Sequence, residues 1–152
     1  MNTKTISFTL IMSLAMAAGV WAADDAMMGT WKLNEAKSKI GPGAPKNSTV
    51  VYAAAGDQIK VTVDGTDAQG KSAHSQWTGK FDGKDYPVTG DATADMRSYN
   101  MEGKDTLDLT NKKDGKITST GKVVVSADGK TRTVTINSAD SKVMSTAVYD
   151  KS

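Results

Sequence analysis

The chain has 152 residues, with 19 Lys and Arg against 17 Asp and Glu, a formal net charge of +2, and no cysteine. Charges of both signs are interspersed with no basic stripe, which argues against nucleic acid as a partner. The lack of cysteine excludes disulfide staples, thiolate metal sites and cysteine nucleophiles, so packing alone has to hold the domain together.

The N-terminus begins polar, with one positive charge on Lys4, and then runs apolar from Ile6 to Val20 before the small-residue site Val20-Trp21-Ala22. That order is the pattern of a secretory signal peptide. The apolar run is shorter than the roughly 20 residues that span a bilayer. Residues 1–22 are therefore expected to form a signal-peptide helix that is cleaved. Residues 23–152 are expected to form one domain with no membrane span, periplasmic or extracellular.

Beyond Ala23 the apolar residues alternate. Ile59, Val61 and Val63 share one face, as do Leu107 and Leu109, and Val134 and Ile136. This period of two, rich in Val, Ile and Thr, predicts half-buried strands. Taken in order, strands are predicted near 29–33, 48–55, 58–64, 72–81, 84–88, 95–101, 104–111, 115–125, 130–138 and 142–149. A short helical turn is placed at Asn34–Lys39, where Asn34 is a cap residue, and Gly41-Pro42-Gly43-Ala44-Pro45 reads as a rigid connector. Gly-Asp and Asp-Gly pairs separate the strands, at Gly56-Asp57, Asp64-Gly65, Asp82-Gly83, Gly90-Asp91, Asp114-Gly115 and Asp128-Gly129. Such pairs suit tight hairpins. One internal repeat is visible, Val50–Gly56 over Val123–Gly129, continuing through Val61-Thr62-Val63 on Val134-Thr135-Ile136.

The mature start, Gly29-Thr30-Trp31-Lys32-Leu33, resembles the first strand of the calycins, the lipocalin and fatty-acid-binding superfamily. The ending, Ser145–Lys151, resembles the last strand of fatty-acid-binding proteins. The resemblance implies an antiparallel barrel with Trp31 closing one end. Two departures limit it. Ala147 stands where that family's last strand carries the arginine of its Arg-x-Tyr pair, so only Tyr149 remains, and Asn34–Pro45 is too short for the helical lid. The fold carries over and the lipid site does not. The chain is also similar to a group of small exported bacterial proteins without assigned activity. Their marks are Gly29–Asn34 with Lys37-Ser38-Lys39, and Asp82–Asp91.

Each candidate site residue also has a structural role open to it. His74, the one histidine, shares the outward face of its strand with Gln76, Thr78 and Lys80 and lacks metal or triad partners. The aspartates sit at turns, and their spacing fits neither calcium loop nor nonapeptide repeat. The two arginines are different. Arg132 alternates with Val134 and Ile136 on an apolar face, and Arg97 with Tyr99 and Met101. An inward guanidinium is costly unless paired, and an anionic ligand head group would pair it. Alternatively, Arg132 snorkels to water or stacks on Trp31 to close the barrel. Trp77, Phe81 and Tyr99 are the large interior aromatics.

The sequence thus predicts an all-β, antiparallel up-and-down, lipocalin-like barrel of 8–10 strands, with a flattened sandwich as the other packing. The expected function is non-catalytic binding of a small apolar or amphipathic ligand. Trp77, Phe81, Tyr99 and Tyr149 would supply contact and Arg132 or Arg97 an anion anchor. The alternative is a structural or protein-interaction module of the bacterial envelope with a filled core. No cofactor or metal is expected, no hydrolytic constellation is present, and the oligomeric state is left open.

Overall fold

The computed structural model describes residues 26–152; the expected signal peptide, 1–22, lies outside the described residues. Each alternating segment forms a strand: β1 (Gly29–Leu33), β2 (Lys39–Ile40), β3 (Lys46–Ala55), β4 (Gln58–Thr66), β5 (Ser72–Gly79), β6 (Asp82–Thr89), β7 (Met96–Met101), β8 (Thr106–Lys113), β9 (Lys116–Val125), β10 (Thr131–Ser138) and β11 (Val143–Lys151). From β3 to β11 every strand pairs antiparallel with the next. β1 then fills the space between the first and last of these. Trp31 lies opposite Val50 on β3 and opposite Lys151 on β11. Ten strands close into a barrel, and full closure removes free sheet edges. The closed ring decides for the barrel over the flattened sandwich.

β2 is too short to show a period in sequence. It pairs with the stretch of β11 that β1 does not reach, with Ile40 opposite Ser145. Between β1 and β2 the chain makes one 3-10 turn, Glu35–Lys37, and the Lys37 N–H donates to the Asn34 side chain at 3.3 Å. The described residues contain no α-helix.

Three sequence expectations are corrected. The strand expected over 72–81 ends at Gly79, and Phe81 lies in the turn that follows. Asp64-Gly65 is not a turn, because β4 runs on to Thr66. Local Asp-Gly chemistry is overridden there by a close approach: a Cβ on Gly65 would collide with the Lys46 carbonyl of β3. Asp91 is more than a turn residue, as shown below. The β5–β6 pair is also short, joined only at Gln76–Thr89 and Trp77–Val88. Beyond Val88, Pro87 has no N–H to offer a ladder.

Alternation builds the interior. Ile59, Val61, Trp77, Val88, Tyr99, Leu107, Leu109, Val123, Val125, Ala147 and Tyr149 all turn inward and are buried. The β3–β4 and β9–β10 hairpins, which carry the internal repeat, present equivalent residues to the same face. The start of β1 at Gly29 and the end of β11 at Lys151 lie at the end of the barrel that carries the β3–β4 and β9–β10 turns. Met27 and Trp31 are completely buried there, and Trp31 Nε1 donates to the Met27 carbonyl at 2.9 Å. This is the sealed end.

Candidate functional site

Arg132 is the second residue of β10 and faces inward at the sealed end, with Tyr149 opposite on β11 and Val125 opposite on β9. Its side chain does not snorkel: the residue is 2% exposed. The guanidinium carbon lies 5.1 Å from the Trp31 ring centroid, 5.0 Å from Tyr52 and 4.7 Å from Tyr149. Each ring face attracts a cation, by about 0.5–2 kcal/mol as water is excluded. No carboxylate among the described residues pairs with it, and its Nε and Nη1 are buried without a hydrogen-bond partner. Removing an ion from water costs several kcal/mol, and three ring contacts offset only part of that. Tyr149 is fixed by its hydroxyl, which donates to the Asn47 carbonyl at 2.9 Å. Burial pushes the Tyr149 phenol up to about 12, with the Arg132 charge acting the other way. Tyr52 was not singled out in the sequence. Its signal was the alternation of Val50 and Tyr52.

A second aromatic cluster continues from this cage. Phe81 stacks on Trp77, with centroids 6.2 Å apart, and Tyr99 meets Trp77 edge-on at 4.7 Å. Tyr86 also meets Trp77 edge-on at 5.6 Å, and Tyr52 approaches Phe81 at 6.3 Å, which joins the two groups of rings. The Trp77 indole N–H donates to the Arg97 carbonyl at 2.9 Å, so its polar atom is satisfied. Burial is the main cause that pushes Tyr99 up to about 12, and Tyr52 adds to it. Trp77, Phe81 and Tyr99 thus pack on one another.

Arg97 has the opposite environment to Arg132. Its Nη2 donates to Asp91 Oδ2 at 2.9 Å, and its Nε donates to Asn111 Oδ1 at 2.5 Å. Asn111 in turn donates to Ser119 Oγ at 2.9 Å. Asp91 also holds its own turn, accepting from the Thr93 N–H at 2.8 Å. Arg97 therefore already has its anion from within the chain. Strand alternation points to this arginine, but nothing local in the sequence marks Asp91, Asn111 or Ser119 as its partners.

Away from the sealed end the inward face changes. Val63, Val134 and Ile136 point inward by register yet are only partly buried, although they pack against the core. Ser145, Ala147 and Gly121 lie beside them, and the space over Gly121 is filled, since a Cβ there would stand 2.6 Å from Ile136 Cδ1 and 3.1 Å from Leu109 Cγ. The barrel is thus closed by aromatics at one end, while these inward side chains nearer the other end keep partial exposure. His74 lies on the outer wall, half exposed, with Nδ1 2.5 Å from Asp64 and Nε2 3.1 Å from Gln76. Among the described residues no group of three or more His, Asp or Glu is placed to hold a metal ion.

No protein-family model matches the chain, and no curated protein matches it. Among solved structures it is similar to a redesigned beta barrel, mFAP1, bound to DFHBI, with 15% identity over 86% of this chain and 99% of that chain and a TM-score of 0.47.

Proposed function

We propose that the protein is an exported, non-catalytic barrel that binds a small apolar or amphipathic ligand inside its open end, in the periplasm or outside the cell. One observation carries this reading. Val63, Val134 and Ile136 turn into the barrel and pack against its core, yet solvent still reaches them. Inward apolar side chains left partly wet gain free energy when a ligand covers them, by ~25 cal/mol for each Å² removed from water. Concave, mostly apolar pockets with a few fixed polar groups are the usual form of small-molecule sites. The charged-apolar-small order of residues 1–22 supports export.

Native mass spectrometry of the protein purified from its own host tests the reading. The expected result is a chain that begins at Ala23 and carries a small co-purifying mass, released on denaturation. A chain that carries no added mass, and that binds no apolar fluorophore, would sink the ligand reading. The same spectrum tests export through the N-terminal residue.

A further inference from the structure

We infer that the outer edge of β2, with the pocket beside it, is a docking site for an extended peptide segment of a partner protein, one that alternates acidic and apolar side chains. This surface is separate from the barrel interior, and the inference does not depend on a ligand there.

Closure of the ten-strand ring leaves β2 over. Among the described strands it alone pairs on one side only, with β11. The Gly41 N–H donates to the Met144 carbonyl at 3.0 Å. Successive residues of an antiparallel strand turn their backbone groups to opposite sides, so the N–H and C=O of Ile40 point away from β11, where no strand meets them. The segment that follows does not cover them. It turns on itself, with the Ala44 N–H on the Gly41 carbonyl at 3.2 Å, and Pro42 and Pro45 have no N–H to offer a ladder. Across this gap β3 meets no strand on its β1 side before Thr49. An unpaired edge is a template for another strand.

Charge selects which strand. Two neighbouring lysines have partners, Lys46 with Glu35 at 2.6 Å and Lys142 with Asp140 at 3.1 Å. Lys37 and Lys39 pair with no carboxylate among the described residues. Opposite charges on facing residues of two strands attract, and like charges repel. Lys39 therefore favours a carboxylate on an added strand and disfavours a second copy of β2, which would bring a second Lys39.

The pocket supplies the apolar half of the recognition. Lys39–Gly41 and Val143–Thr146 line a concavity of about 310 Å³, with Ile40, Val143 and Met144 as its apolar walls. Val143 is 64% exposed. An added strand presents its side chains to alternate faces, which sets a carboxylate opposite Lys39 and an apolar side chain opposite Ile40. Backbone bonds then give the affinity and the two side chains the specificity.

Amide NMR of the protein, titrated with two short capped peptides, tests the site. One peptide alternates Glu and Leu, the other Lys and Leu. The acidic peptide is expected to shift the amides of Lys39, Ile40 and Gly41 and to bind at least about threefold more tightly than the basic one. Lys39→Glu, a change at an exposed side chain, should reverse that preference. Ile40→Pro removes the edge N–H at a position that proline tolerates, and it should abolish binding of the acidic peptide. Equal affinity for the two peptides, or no shift at Lys39–Gly41, would overturn the site. Shifts at the same amides that grow with protein concentration alone would assign the edge to a second copy and overturn the peptide partner.

Discussion

Arg132 lies directly opposite Tyr149 across the β10–β11 pair, and its guanidinium carbon sits 4.7 Å from the Tyr149 ring centroid. The last strand therefore supplies both a wall of the arginine's cage and, through the Tyr149 hydroxyl, a hydrogen bond to β3. This contact ties the two ends of the chain's meander together at the place where the barrel closes. Tyr149→Phe removes the bond to the Asn47 carbonyl and keeps the ring. It should cost about 1 kcal/mol, whereas Tyr149→Ala should cost about 3–5 kcal/mol. Urea denaturation of the two variants separates the hydroxyl from the ring; equal losses would show that the ring contributes nothing.

Arg97 and Asp91 should behave as one unit. Asp91→Ala leaves a largely buried guanidinium with Asn111 as its remaining side-chain acceptor, and breaking such a pair from one side costs about 3 kcal/mol or more. In the double variant Asp91→Ala, Arg97→Met the second change should recover much of that loss. A double-mutant cycle by chemical denaturation measures this directly, and strictly additive losses would argue against coupling.

Gly79 is held by packing, not by backbone freedom. A Cβ there would stand 2.5 Å from the Tyr86 ring and 2.7 Å from Trp77. Gly79→Ala should therefore destabilise by about 1–3 kcal/mol through overpacking and alter the near-UV circular dichroism of Trp77. A neutral substitution would mean that Tyr86 swings away freely.

The barrel's alternating faces were readable because period two is a local property. Ile59, Val61 and Val63, like Leu107 and Leu109, turn inward as their alternation indicates. Phe81 kept the inward parity of Trp77 although the strand had already ended at Gly79. What could not be read was set by contacts distant in sequence. The cage around Arg132 comes from β1, β3 and β11, so alternation gave the direction of its side chain but not the lack of a counter-charge. Gly65 looked like a hairpin glycine because nothing local shows that Lys46 approaches it. Asp91 was near enough to Arg97 to be considered, but its turn role hid the second carboxylate oxygen.

Alkaline pH should unfold the protein through its buried phenols. Tyr99 and Tyr149 are pushed up to about 12, in both cases chiefly by burial, whereas an unfolded tyrosine titrates near ~10. The native state then holds more protons than the unfolded one over this window. Stability is fully present below about pH 10 and is lost as pH rises through about 12. Denaturation midpoints followed alongside tyrosinate absorbance should show these phenols ionising together with unfolding. Complete ionisation near ~10 with the fold intact would contradict their burial.

The most direct test of ligand binding inside the barrel is a methyl NMR titration of the wild-type protein with dodecanol. Val63, Val134 and Ile136 should shift. The outward Ile117, Val124 and Val143, which are 49%, 41% and 64% exposed, should not. Shifts confined to the outward three, or no shift at any of the six, would contradict a ligand site within the barrel.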